Sequence, residues 1–166
     1  EKIVFADGSE MALTGDLAFD GTIAGEYLYG FEGQNDTFIG NEGSDTLFGF
    51  GGDDVYVWNT GDGYDRIFDT SGLDQIQFGT GIASNDIRLV NANNGDLYIY
   101  VAGVHAITIN DHFDETGEAI EKIVFADGSE MALTGDLAFD GTIAGEYLYG
   151  FEGQNDTFIG NEGSDT

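Results

Sequence analysis

The stretch Gly40-Asn41-Glu42-Gly43-Ser44-Asp45-Thr46-Leu47-Phe48-Gly49-Phe50-Gly51-Gly52-Asp53-Asp54-Val55-Tyr56-Val57-Trp58 repeats its own chemistry every nine residues. Gly40 and Gly49, Gly43 and Gly52, and Asp45 and Asp54 each stand nine positions apart. Every nonapeptide reads as a glycine-containing turn, an aspartate, and an x-U-x triplet whose U is large and apolar, Leu47 and then Tyr56. Glycine permits the positive φ angles that tight turns require. An alternating triplet makes a short strand with one inward side chain. Two nonapeptides then build one coil, so turns 18 to 20 residues apart stack on the same edge.

The beat extends in both directions. Upstream, Gly30-Phe31-Glu32-Gly33-Gln34-Asn35-Asp36-Thr37-Phe38-Ile39 carries one extra residue before Asp36, and Glu26 and Leu28 fall on the beat without an aspartate. Downstream, Gly63-Tyr64-Asp65-Arg66-Ile67 and Gly72-Leu73-Asp74-Gln75-Ile76 continue it with longer spacings. Stacking sets Asp36, Asp54 and Asp74 on one edge and Asp45 with Asp65 on the other. Strands stack ~4.8 Å apart, and two carboxylates ~5 Å apart repel by roughly 3 kcal/mol at an effective dielectric of about 20. Several such pairs rival a domain's net stability of about 5–15 kcal/mol. A calcium ion, which binds oxygen at ~2.3–2.6 Å, fits between successive turns and removes that repulsion. The expected ligands are the five aspartates together with the turn residues Gly30, Glu32, Gly40, Glu42, Gly43, Gly49, Gly51 and Gly52, whose turns aim backbone carbonyls at the ion. Asp53, Asp62 and Asp69 stand open between solvation and ligation, as does Glu26. Folding is expected to be coupled to metal binding.

Composition points the same way. The 166 residues are 41% hydrophobic and 13% aromatic, yet 32 acidic residues face 4 Lys and Arg, for a net charge of −28. So acidic a chain is a poor partner for nucleic acid. It has no cysteine for disulfides or thiolate sites, and no apolar run long enough to span a bilayer. His105 and His112, with no cysteine or third histidine, read as ordinary strand and loop residues. Gly49-Phe50-Gly51-Gly52 is followed by no lysine and is not a nucleotide loop. No nucleophile stands beside a base, and the chain reads as a non-enzyme.

A longer repeat encloses the short one. Residues 1–46 recur without change as 121–166, a period of 120. Identity over 46 residues, surface positions included, implies recent tandem duplication or deliberate assembly, and a slice of an array of units. The second copy repeats the candidate ligands as Asp156 and Asp165. Asp96 to Ala102 and His105 to Asn110 predict a hairpin around Gly103, and Ile123 to Ala126 with Glu130 to Leu133 a second one. Thr116 to Ala119 allows one helical turn at most. The class is all-β, with a calcium-binding coil at 21–78, the end of a preceding β-region at 1–20, a flanking and capping β-region at 79–140, and the start of a second coil at 141–166.

These residues resemble the repeats-in-toxin (RTX) nonapeptide, G-G-x-G-x-D-x-U-x, a calcium-binding parallel β-roll repeat. The resemblance covers about Gly30 to Asp74 and again Gly150 to Thr166. It departs at the second glycine, which is Phe31, Asn41 and Phe50 here, and in the insertion before Asp36. It implies a parallel β-roll with a flanking antiparallel β-region, secretion by a one-step (type I) bacterial route, and folding outside the cell where calcium is plentiful.

Three functions follow as expectations. The first is a calcium-rigidified extracellular structural repeat, an extender, adhesin stalk or matrix-fibre unit of a large bacterial secreted or surface protein. Its partners would be calcium, neighbouring units or like chains. The second is a module binding surface glycans or ice. The third is the calcium-binding secretion tail of an RTX enzyme or toxin.

Overall fold

Thr37 pairs with Val55 and Val55 with Gln75, while Tyr27 pairs with Thr46 and Thr46 with Arg66, all in parallel. The chain thus returns to the same sheet every 18 to 20 residues, the coil length that the nonapeptide predicts. The computed structural model describes residues 2–4, 6–12, 15–92, 94–113, 120–140, 155–160 and 166. The expected helical turn at Thr116 to Ala119 lies outside them, as does Asp165.

The strands in chain order are β1 (Lys2–Val4), β2 (Glu10–Ala12), β3 (Ala18–Asp20), β4 (Tyr27–Tyr29), β5 (Thr37–Ile39), β6 (Thr46–Gly51), β7 (Val55–Trp58) and β8 (Asp65–Ser71). They continue as β9 (Gln75–Phe78), β10 (Ile87–Asn91), β11 (Leu97–Val101), β12 (Val104–Ile109), β13 (Lys122–Val124), β14 (Glu130–Ala132), β15 (Ala138–Asp140) and β16 (Thr157–Ile159). A single 3₁₀ turn, Ser84–Asp86, precedes β10. The protein is all-β. Among the described residues no helix is long and apolar enough to cross a membrane.

Two six-stranded sheets face each other, in the orders β10-β11-β12-β8-β6-β4 and β14-β13-β9-β7-β5-β3. Each coil strand sends a large side chain inward, and β7 and β9 add a second, Trp58 and Phe78. In one sheet the column runs through Phe19, Phe38, Tyr56, Ile76 and Ile123, matched by register. In the other it runs through Leu28, Leu47, Ile67 and Ile109. The rings of Phe38 and Tyr56 stack at 5.1 Å, an aromatic ladder that rewards equal coil lengths. Leu28, Phe38, Leu47, Tyr56, Ile67 and Ile76 are the U positions of the repeat, and from Phe38 onward they are buried, as are Ile109 and Ile123 of the flank.

The flanking region is antiparallel within the hairpins β10-β11-β12 and β13-β14, turning at Ala102-Gly103 in the first. Its junction with the coil is parallel. Strand β12 continues the sheet beyond β8, and β13 continues the other beyond β9. Both sheets therefore pass from coil to flank without a break, and the last coil presents no open edge there.

At the family's second-glycine position, Asn41 and Phe50 take positive φ angles of 65° and 70°. The backbone keeps the left-handed turn although the residue is not glycine, at a cost of about 1–2 kcal/mol each. Asn41 offsets part of this by donating from Nδ2 to Asp20 Oδ1 and to the carbonyl of Gly21, 2.8 and 2.9 Å away in the coil before.

Candidate metal centre

The aspartates of the nonapeptide form two ladders. On one edge the N–H of Leu17 donates to Asp36 Oδ1, that of Asp36 to Asp54 Oδ1, and that of Asp54 to Asp74 Oδ1, at 2.9, 2.6 and 2.7 Å. On the other, the N–H of Glu26 donates to Asp45 Oδ1 and that of Asp45 to Asp65 Oδ1, at 2.7 and 3.0 Å. The five expected aspartates are all buried, in the edge groups that coil stacking predicts. A second ladder on the outer surface runs the opposite way: Asn35 N–H donates to Asp16, Asp53 N–H to Asn35 Oδ1 and Leu73 N–H to Asp53. Exposed Asp53 therefore ties coils together, and Asp62 accepts from the backbone and side-chain amides of Asn59.

One oxygen of each inner carboxylate is thus spent on the backbone. The other divides the set. Asp36 Oδ2 accepts the N–H of Phe31 at 2.8 Å, so this carboxylate is fully engaged by its own chain. Asp45 Oδ2, Asp54 Oδ2 and Asp74 Oδ2 are buried with no hydrogen-bond partner. A buried carboxylate oxygen without a partner is costly, and a cation is the partner that fits it. Phe31 stands five residues before Asp36, where the units without the added residue have Gly40 before Asp45 and Gly49 before Asp54.

The glycines make room for these oxygens. A Cβ on Gly40 would stand 2.7 Å from Asp45 Oδ2, and one on Gly30 2.7 Å from Asp36 Oδ2. At Gly49 it would collide with Asp54 Oδ2, Asp69 Oδ2 and the Tyr56 hydroxyl together. Gly30, Gly40, Gly49 and Gly51 are buried and Gly43 and Gly52 half-buried in the turns, whereas the side chains of Glu32 and Glu42 are exposed. The carboxylate of Glu26 folds back onto the Thr22 amide, 3.1 Å away, and onto its hydroxyl, while only its backbone N–H joins the ladder. In the second copy Asp156 Oδ1 accepts the Leu137 N–H at 3.0 Å, reproducing the Leu17–Asp36 contact.

Asp69 joins Asp54 and Asp74, their carboxylate oxygens lying within 4.8 Å of one another, all three residues buried. Its Oδ2 accepts from the Tyr56 hydroxyl at 2.5 Å. The spacing carried a signal for it: Asp69 precedes Asp74 by five residues, as Gly49 precedes Asp54, so a carboxylate occupies a turn glycine's place. Glu121 had no such signal. Its carboxylate accepts the Asp74 N–H at 2.6 Å and closes the ladder from 47 residues away.

Burial first, and like charge behind it, raises these groups. Burial pushes Asp54 up to about 7, against the pull of the Asp36 amide and with further push from the charges of Asp69, Asp36 and Asp53. Burial likewise lifts Asp74 to about 8, Asp65 to about 7 and Asp69 to about 6, and raises Asp45. Carboxylates held this far above their ordinary value favour either protons or a divalent cation. The donor set, hard oxygens on rigid turns, suits calcium.

The histidines lie elsewhere. His112 is buried in the flank, with Nε2 on the Leu133 carbonyl and Nδ1 accepting the Ile120 N–H, and burial lowers it to about 4. His105 packs among Tyr64, Tyr98 and Tyr100 beside an apolar cleft of about 620 Å³.

A parallel coil with paired aspartate ladders at its turns defines a class: calcium-binding β-roll proteins. The model of the RTX calcium-binding nonapeptide repeat matches residues 32–57 and 147–166, and that of the haemolysin-type calcium binding protein related domain matches 96–134. Three segments of the chain thus match models of RTX haemolysin-type calcium-binding repeats and a related domain. No curated protein matches it.

Proposed function

We propose that the chain is a calcium-folded, non-catalytic structural repeat of a large bacterial secreted or surface protein. The observation that carries this reading is the set of buried, partnerless oxygens on Asp45, Asp54 and Asp74 in a chain of net charge −28. One ion site is assigned to Asp54, Asp74 and Asp69, and one to Asp45 with Asp65, with turn carbonyls from Gly40 to Gly52 completing the shells. Asp36, whose oxygens both rest on backbone amides, takes its ion last. Asp156 and Asp165 are the corresponding ligands of the second copy.

In this reading residues 21–78 are the calcium switch, 79–140 cap it and lead into the next unit, and 1–20 and 141–166 belong to the neighbouring junctions. Low calcium inside the cell keeps the chain loose for one-step export, and high calcium outside folds it. Identical units set the length of a stalk or fibre by copy number. Circular dichroism and calorimetry with calcium and with excess chelator test the proposal. Calcium is expected to add the β signal and to raise the melting temperature by well over 10 °C. Equal folding and equal heat stability in chelator would sink it.

A further inference from the structure

The chain contains the same 46 residues twice in different surroundings, which is an internal control on what that sequence packs against. In the second copy, the hairpin β13-β14 is annexed to the coil: Lys122, Ile123 and Val124 pair with Gln75, Ile76 and Gln77. Phe125 is buried against Phe78, their rings 5.9 Å apart. Leu137 and Ala138 share one cleft with Ile87, Arg88 and Leu89 of β10.

In the first copy the same hairpin, β1-β2, has the same register and forms a two-stranded sheet by itself. Val4 is 58% exposed where Val124 is half-buried. Leu17 and Phe19 are half-buried where Leu137 and Phe139 are 6% and 1% exposed. Local structure does not differ: Leu17 meets Asp36, and Asn35 meets Asp16, as Leu137 meets Asp156 and Asn155 meets Asp136. Only the neighbour differs.

We infer that residues 2–4, 6–12 and 15–19 form a docking face for the end of a second copy of the repeat, namely its equivalents of β9 (75–78) and β10 (87–91). The occupant is identified by the second copy, where those two strands are seated against the identical sequence. Within one chain they are already covered by residues 120–139, so the face is filled in cis by a unit placed ahead of Glu1, not by dimerisation of folded chains. The junction also touches the ion site: Glu121, the counterpart of Glu1, closes the ladder on Asp74. The inference rests on the repeat-array reading for the nature of its occupant.

Hydrogen exchange with mass-spectrometric readout tests it, in calcium, on the chain as it is and on a chain with one more copy of residues 1–120 ahead of Glu1. A Ser9→Thr marker, at an exposed position where the hydroxyl is kept, distinguishes the original first copy from the others. In the shorter chain the amides of Lys2–Val4 are expected to exchange at least ten-fold faster than those of Lys122–Val124. In the longer chain the marked copy slows to match Lys122–Val124. If the marked copy stays fast, or if the first copy is already as slow as the second in the shorter chain, the inference is overturned. The amides of Thr37–Ile39, with and without chelator, report on calcium separately, so failure of the calcium reading is seen independently of docking.

Discussion

The N–H of Asp54 donates to Oδ1 of Asp74 at 2.7 Å, while Oδ2 of Asp74 lies buried without a partner. The two oxygens of one side chain thus differ, one holding successive coils together and the other left for the proposed cation. Asparagine keeps the first and loses the second. Asp54→Asn and Asp74→Asn are expected to leave melting in chelator unchanged or slightly higher, since a like charge is gone. Each should lower the calcium-induced gain by about 2–3 kcal/mol, the linkage expected of a site at roughly a hundred times its dissociation constant. Asp36→Asn behaves differently. Its new amide group meets the Phe31 N–H donor-to-donor, costing about 1–2 kcal/mol with or without calcium. Calorimetry of the three variants in both conditions checks the contrast.

The raised carboxylates reverse the usual pH dependence of the calcium-free protein. A group whose folded pKa exceeds its unfolded value contributes stability that is complete below the unfolded value and is lost as pH rises through the folded one. For Asp54, Asp65, Asp69 and Asp74 that window runs from about 4 to about 6–8. His112, lowered to about 4, and His105, also lowered by burial, work against them below pH ~6.5, but they are two groups facing four. In chelator the melting temperature is therefore expected to be higher at pH 5.5 than at pH 8. In saturating calcium the order inverts, because protons then displace the ion. Melting curves at the two pH values, with and without calcium, read both signs.

Tyr56 links the core to the proposed ion site, its ring in the Phe38 stack and its hydroxyl on Asp69. Tyr56→Phe keeps the stack and removes that one bond. In chelator it should cost about 1–3 kcal/mol, because the buried carboxylate loses a donor. In calcium the loss should fall below about 1 kcal/mol, the ion then satisfying Asp69. Equal losses in the two conditions would detach Asp69 from the site.

Coil length, strand positions and the two aspartate edges were legible because a nine-residue beat carries them locally. Glycine marks the turn, aspartate follows it, and the next large residue points inward, as with Gly49, Asp54 and Tyr56. Asp69 stayed open between solvation and ligation because it fills a glycine's place, which a pattern defined by glycine does not mark. Glu121 escaped because nothing local ties it to Asp74; the link exists only once β13 docks on β9. The parallel junction of the flank was hidden for the same reason, since hairpin signals report a strand's sequence neighbour and not its partner across the sheet. The departures from the nonapeptide were also informative: Asn41 and Phe50 keep the left-handed turn, and in the unit with the insertion Asp36 spends its second oxygen on the Phe31 N–H.

The turn glycines differ in what they do, and a pair of alanine substitutions separates two causes. Gly33 has φ +74° and open space around a would-be Cβ, so Gly33→Ala meets only the left-handed backbone cost of about 1–2 kcal/mol. Gly52 has φ +130°, and its Cβ would sit inside the carbonyl of Gln34 in the coil before. Backbone cannot yield there as a flexible side chain would, because Gly33 N–H bonds to the Gly51 carbonyl and Gly52 N–H to that of Ser71, binding three coils in one column. Gly52→Ala must therefore pry two coils apart, at an expected cost above about 3 kcal/mol. It should also weaken calcium binding, since Asp54 lies two residues on. Urea unfolding and calcium titration of both variants check this: a Gly52→Ala protein no less stable than Gly33→Ala would show that the turns do not stack as closely as the coil geometry requires.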